Sequence, residues 1–493
     1  MLEVLSLVRS MKNNFAPISQ IPGAVLSLIP NYWEHCYAGR DGDLITLTHV
    51  CRGWRKLFTS RPSSWTRLDF ASVGKTQAYI KRSKSSPLEA TIRKTEDKSY
   101  VNDAVLLAIP HIKRFKSLTI GGTLDHLQNL TRYLNLPAPF LRELTIDFNC
   151  ASAPVLDNGL LNGDLSSLRT LNLRGVTTRL PWRNLWNLTT FELRCAADNR
   201  ISVMRLLNFL ENASQLRNIT LHDSIPTSSD ASSSRVVPLP HLKYLAILGE
   251  PGHGILLNHL SIPNGASVVL DFNFSGNKSP LPDCLPKSAK NLKNIFRITA
   301  VNLCFDGNTK FVRLLGPTGG LSMFGHWEHD ALTSFSLDLD HQILQSLNYF
   351  SLHMTPSLTI TKYEDLVPLG ISESSPYCTL LRTKDLHTLT LIRCENLPFI
   401  LALNPYRNPT RITLCPNLEK LILYVDTRDS FDIQELMNMA KERASSGAKL
   451  RSITIVGLGE LLPGKEVFKL REHVTHVEYR FEENPPGWDH VSN

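Results

Sequence analysis

Along most of the chain the apolar positions follow one recurring pattern, L-x-x-L-x-L with Ile or Phe allowed at each place. It reads Phe115-Leu118-Ile120, Leu141-Leu144-Ile146, Leu168-Leu171-Leu173, Leu188-Phe191-Leu193, Leu216-Ile219-Leu221 and Leu242-Leu245-Ile247, with middle members 26, 27, 20, 28 and 26 residues apart. Further copies are Leu332-Phe335-Leu337, Leu386-Leu389-Leu391, Leu418-Leu421-Leu423 and Leu450-Ile453-Ile455, the last three 32 residues apart. The closing x-L-x-L alternates in and out, which predicts a short strand, and the first Leu turns inward from the preceding loop. One such strand cannot bury its apolar face, so successive units are expected to stack into a parallel sheet with a continuous leucine core. Val203, Met204, Leu206, Leu207, Phe209 and Leu210, and again Phe431, Ile433, Leu436, Met437, Met439 and Ala440, recur at helical spacing between strands and predict helices covering that core.

The pattern predicts an α/β chain in which residues 71–480 form an irregular leucine-rich-repeat solenoid with a mostly parallel curved sheet. A count of about a dozen units is expected. Ten copies, six of them nearly evenly spaced, are too many for the chance abundance of leucine. Over the 90 residues between Leu245 and Phe335 the clean pattern gives way to the alternations Val268-Leu270-Phe272, Val301-Leu303-Phe305 and Val312-Leu314. Pro317-Thr318-Gly319-Gly320 then precedes Leu321-Met323-Phe324, a turn signal that predicts an antiparallel hairpin there. Segments 223–234 and 273–288 read as surface loops, Val474-Val477-Tyr479 as a last strand, and 481–493, with Pro485-Pro486-Gly487, as a tail.

Residues 15–70 have a different texture and are assigned to a separate helical module. Val25, Leu26, Ile29 and Trp33 would share one helical face after Ile21-Pro22. Asp43 is placed to cap a second helix in which Leu44, Leu47, Val50, Cys51 and Trp54 recur at three- and four-residue steps. Ser64 to Asp69 then alternates like the first strand of a sheet.

Composition narrows the class. Of 493 residues, 42% are hydrophobic and 20% charged, enough for a large core and too apolar for wholesale disorder. No uninterrupted apolar run reaches the length of a membrane-spanning helix, and Glu3 and Arg9 interrupt any signal-peptide core at the start. Nine scattered cysteines without a CxxC pair read as reduced thiols, so the expected compartment is cytoplasm, nucleus or both. A net charge of +8, from 53 basic and 45 acidic residues, is too mild for its length to call for nucleic acid.

Motifs with chemical content are few. Gly74-Lys75-Thr76 has Asp69 where a phosphate loop needs its first glycine, and His326-Trp327-Glu328-His329-Asp330 lacks a second cluster at ligand spacing. Cys394 fits a small buried slot after Leu391. No cofactor, metal, catalytic residue or enzymatic activity is expected. Outward strand positions such as Thr119, Thr145, Asn172, Glu192, Thr220, Thr390 and Thr454 are where a target would be met, although threonine also suits any solvated strand.

Ile21-Pro22, Asp43-Leu44-Ile45-Thr46-Leu47, Val50-Cys51-Arg52-Gly53-Trp54-Arg55 and Pro62-Ser63-Ser64-Trp65-Thr66-Arg67-Leu68-Asp69 together resemble an F-box. The continuation K-R-S-K-S-S-P-L at 81–88 is similar to the F-box proteins of basidiomycete fungi. The resemblance implies a substrate receptor without bond chemistry of its own: the module docks on a Skp-type adaptor of a cullin-RING ubiquitin ligase and the repeats hold a protein target. It implies adaptor contacts at Ile21, Pro22, Leu26, Ile29, Leu44, Leu47, Val50, Cys51 and Trp54, some of which must instead hold the module together. Gly23 and Pro30 depart from the pattern, and the alternative expectation is a repeat scaffold whose degenerate module binds no adaptor.

Overall fold

The computed structural model describes residues 15–26, 42–93, 100–122, 135–148, 155–156, 160–178, 184–195, 200–224, 235–274, 289–306, 309–327, 355–363, 383–392, 396–408, 410–426, 432–458 and 469–482, with a few scattered positions besides. The chain divides into two compact units, Met1–Asn199 and Arg200–Asn493. Both are mixed α/β and built on large, mostly parallel sheets.

In the first unit the helices α1 (Gly23–Leu26), α2 (Gly42–Val50) and α3 (Arg52–Thr59) precede the sheet. Its strands are β1 (Arg67–Leu68), β2 (Leu88–Arg93), β3 (Phe115–Gly122), β4 (Glu143–Phe148), β5 (Thr170–Arg174) and β6 (Thr190–Arg194), each parallel to the next. Helices α4 (Val73–Ser83) and α5 (Tyr100–Ala108) lie in the connections around β2. Two ladders run in register across β3 to β6, Leu118-Leu144-Leu171-Phe191 and Ile120-Ile146-Leu173-Leu193, and all eight side chains are buried. β2, whose Leu88, Ala90 and Ile92 alternate inward, carries no copy of L-x-x-L-x-L and was not expected from it.

The first Leu of seven of the copies owes its place to a turn. Its N–H donates to the carbonyl three residues back: Leu141 to Ala138, Leu168 to Leu165, Leu188 to Leu185, Leu216 to Ala213, Leu242 to Leu239, Leu386 to Thr383 and Leu418 to Cys415. All seven acceptor residues are buried as well. The working repeat is therefore one step longer than L-x-x-L-x-L, with a small or apolar residue at the head of the turn, and Pro follows that residue at 139, 240 and 416.

The second unit contains α6 (Val203–Asn212), β7 (Asn218–His222), β8 (Tyr244–Gly249), β9 (Ser267–Phe274), β10 (Ala300–Asp306), β11 (Thr309–Leu315), β12 (Gly320–Trp327), β13 (Ser357–Tyr363), β14 (Thr388–Ile392), α7 (Asn396–Leu403), β15 (Lys420–Asp426), α8 (Ile433–Ser445), β16 (Ser452–Leu458) and β17 (His476–Phe481). In space the strands run β7, β8, β9, β12, β11, β10, β13 to β17. Only β11 is antiparallel, so the anticipated hairpin is one half of a three-stranded meander that leaves the flanking strands parallel. The β11–β12 turn presses on its neighbours: a Cβ on Gly316 would lie 2.2 Å from the Asn294 carbonyl oxygen and one on Gly319 2.4 Å from that of Ala266. Glycine is required there by close approach of backbone to backbone.

α6 and α8 form where helical spacing predicted them, and β17 is the expected last strand. The Leu332-Phe335-Leu337 copy, most of both predicted loops and the tail lie outside the described residues. Among the described residues no helix is long and apolar enough to cross a membrane.

Candidate docking module

The second helix expected after Asp43 is two helices. α2 begins at Gly42, so Asp43 sits inside its first turn, and Cys51 is extended (φ −157°, ψ 172°) between α2 and α3. The Cys51 thiol accepts the Trp54 N–H at 3.4 Å, taking the place of an N-cap oxygen at the start of α3. Arg55 Nε donates to the Thr48 carbonyl at 3.0 Å and ties the first turn of α3 to the last turn of α2.

The break turns both helices onto one small core. Leu26, Leu47, Trp54 and Phe58 are buried together, with Leu44, Cys51 and Leu57 half-buried at its margin. The Trp54 and Phe58 rings meet edge to face, centroids 5.7 Å apart. Trp65, fully buried, carries the chain from this core to the sheet. Its indole N–H donates to the Phe58 carbonyl at 2.9 Å, its ring stands edge to face with Tyr79 of α4 at 4.9 Å, and the Arg82 guanidinium lies 4.3 Å from its centroid. Phe58 was missed from sequence, though it extends the helical face of Trp54 by four residues.

The implied contact residues fall into two groups. Leu26, Leu47 and Trp54 are core, and Leu44 and Cys51 line its edge. Ile21, Pro22 and Val50 lie on the surface, Val50 at 53% and Ile21 at 39% exposure, and Ile29 lies outside the described residues. Phe15, Ile18, Val25 and Leu28, also exposed, add to the apolar surface of this segment. Gly23 opens α1 instead of interrupting it, and a Cβ there would meet only Leu57 Cδ1, at 3.4 Å. Pro30 is outside the described residues.

Elsewhere the chemical side chains are occupied. Lys75, at the start of α4, pairs with Asp69. His326 Nε2 lies 3.0 Å from Asp271 Oδ1, while Glu328, His329 and Asp330 are outside the described residues. No group of three or more metal-ligating side chains occurs among the described residues. Cys394 is buried, its thiol donating to the Ile360 and Ile392 carbonyls. Burial pushes the Cys415 thiol up to about 11, leaving it protonated and unreactive at neutral pH.

Beside Cys415 lies Arg443 of α8, fully buried, whose guanidinium donates to the Leu414 and Cys415 carbonyls at 2.8 and 2.9 Å. Burial lowers its pKa to about 10. This arginine closes the carbonyls of a turn in which Arg411 and Cys415 have positive φ, a structural task.

Of the outward strand positions, Thr119, Thr145, Asn172 and Glu192 lie in register, and Asn172 Nδ2 donates to Thr145 Oγ1 at 3.3 Å. Thr454 is an exception to the expectation: it is buried, its hydroxyl 3.4 Å from Glu478 Oε2. The chain matches no family model and no curated protein sequence.

Proposed function

We propose that the chain is the substrate-recognition subunit of an SCF-type (Skp–cullin–F-box) ubiquitin ligase, acting in the cytoplasm or nucleus. The amino-terminal module would dock on a Skp-type adaptor, and the leucine-rich-repeat solenoid would hold a protein target. The observation that carries this reading is the division of the module's apolar side chains. Four close a core of their own, which leaves Ile21, Pro22, Val25 and Val50 uncommitted and exposed beside it. A module that only packed on its own repeats would have no use for such a surface.

The mechanism is proximity. Holding target and charged enzyme on one assembly raises the effective concentration of a target lysine without altering the chemical barrier itself.

Co-purification with a Skp-type adaptor tests the proposal. Ile21→Asp with Val50→Asp should weaken retention by about tenfold or more while the thermal melt of the chain stays put, because both positions are exposed. Leu47→Asp and Trp54→Asp are unsuitable, since they would unfold the module. Folded protein that fails to retain the adaptor at micromolar concentration would favour the degenerate-module scaffold.

A further inference from the structure

The residue that follows the first Leu of each repeat is basic in a run of strands. In the first unit these residues are Lys116, Arg142 and Arg169, and the backbone binds them into a row at the edge where β3, β4 and β5 begin. The Arg142 N–H donates to the Lys116 carbonyl, the Arg169 N–H to that of Arg142, and the Thr189 N–H to that of Arg169. Successive members are therefore one strand spacing apart, about 4.8 Å. Lys116 shares Glu89 at 3.4 Å. Arg142 and Arg169 are exposed and make no ion pair among the described residues, Glu143 on β4 included.

The turns that feed the same edge carry aromatic residues on the outside. Ser167 Oγ donates to the Pro139 carbonyl and Asn187 Nδ2 to that of Ser166, so the turns at 139–140, 166–167 and 186–187 are consecutive neighbours. Phe140 on the first is 67% exposed and Trp186 on the third 52%, with Leu136 also exposed nearby in sequence. Two strand spacings put these turns about 10 Å apart along the edge, each leading into one strand of the row that carries Arg142 and Arg169. Exposed Phe and Trp cost the solitary protein solubility, and Arg with large aromatics is the composition of a binding hot spot.

We propose that this edge of the first unit is a docking surface for an acidic protein segment bearing apolar side chains, its carboxylates meeting Arg142 and Arg169 and its apolar groups Phe140 and Trp186. A protein segment fits better than nucleic acid. Among the described residues of this edge two cations are unpaired and Glu143 stands among them, which is too little charge to follow a phosphate chain. The inference does not rest on adaptor binding, since the edge is formed by the repeats.

The probes are a fluorescein-labelled peptide (Glu-Leu-Glu-Ser)3, its Gln counterpart and dodecauridylate, each titrated against the full chain by anisotropy. The Glu peptide should bind, about tenfold more tightly than the Gln form, with affinity falling as salt rises. Arg142→Glu with Arg169→Glu should weaken it tenfold or more, Arg142→Gln with Arg169→Gln by less, and Phe140→Ser with Trp186→Ser by several-fold. Lys441→Glu with Lys469→Glu, an equal charge change in the other unit, should leave it unchanged. Absence of binding by folded protein, equal binding of the Gln peptide, tighter binding of dodecauridylate, or an equal loss in the Lys441/Lys469 variant would each overturn the proposal. Adaptor retention in the Arg142/Arg169 variant should be intact, which separates this result from a failure of the ligase reading.

Discussion

The two units use one strand pattern and put opposite chemistry on the same outward position. The residue after the last Leu of each copy forms a row across the sheet. In the first unit the row is Gly121-Asp147-Arg174-Arg194, which is polar and laced by ion pairs: Arg174 lies 3.8 Å from Asp147 and 2.8 Å from Glu192. In the second unit it is Cys304-Thr361-Ile392-Tyr424-Val456, with all five side chains buried. Beyond Cys304 the row continues onto Phe311 and Phe324, whose rings stack at 4.5 Å. Past Phe324 the row turns polar at Asp271 and His222, and past Val456 at Arg480, so it is between β12 and β16 that the second unit has this apolar packing on the outward side of its sheet, where the first unit's row is solvated. A leucine ladder fixes which way a strand faces, and what the other face does is left free to diverge.

The sharpest test of that contrast is a charge placed at equivalent positions. Ile392→Asp would bury a carboxylate whose neighbours in the row are Thr361 and Tyr424 and should cost about 3–5 kcal/mol. Arg194→Asp, in the corresponding row of the first unit, should change stability by less than about 0.5 kcal/mol. Urea midpoints of the two variants decide it; similar losses in both would show that the rows are alike after all.

A somewhat smaller loss is expected from Arg443→Met. The substitution keeps most of the volume but leaves the Leu414 and Cys415 carbonyls without donors in the interior of the second unit. The expected cost is about 3 kcal/mol. Arg174→Met, at a half-exposed cation of the first unit, should cost far less, and urea unfolding of the pair compares a buried with a solvated guanidinium.

What the chain made legible depended on how local the cause was. Strands with the repeated Leu spacing, and the amphipathic α6 and α8, could be read because each follows from side-chain period alone. β2 was missed because its alternation, Leu88-Ala90-Ile92, has no leading Leu and follows a basic stretch. The break at Cys51 was missed because Leu47, Val50, Cys51 and Trp54 satisfy a helical period straight through a residue that caps the next helix. Within the amino-terminal module the apolar residues could be listed but not divided, since period says which side a residue faces and not whether its neighbours already cover it. Leu47 and Val50 lie one turn apart, and only the packing makes the first core and the second surface. The apolar row of the second unit was invisible for a related reason: Ile392, Tyr424 and Val456 occupy positions that the alternation assigns to solvent.

A titration provides a third comparison within the second unit's interior. The Cys415 thiol ionises at about 11 in the folded chain, against 9.0 for an ordinary thiol. The unfolded chain therefore loses this proton first. Stability should be full below pH 9 and fall as pH rises toward 11, at about 1.4 kcal/mol per pH unit. Arg443, whose pKa burial lowers to about 10, acts in the opposite sense above pH 10, so the clean window is pH 9–10. Cys415→Ala should flatten the slope of the urea midpoint there; an unchanged slope would assign the alkaline loss to other groups.

The smallest effect concerns the charged row itself. If the polar face of the first unit is decoration on a sheet held from its other side, removing its central cation should hardly matter. Arg174→Thr abolishes the contacts to Asp147 and Glu192 and strips the hydrogen bond from Glu192 that raises the arginine's pKa. The side chain is 42% exposed, so solvent and salt already screen those contacts. Threonine returns part of the loss through its preference for strands, and the net change should lie within about 0.5 kcal/mol. Raising the salt should shrink the difference between the two proteins further, because only the arginine form has ion pairs to lose. A loss above about 1.5 kcal/mol that persists in salt would mean that the row holds the strands together, and the first unit would then be stabilised on both faces, as the second is between β12 and β16.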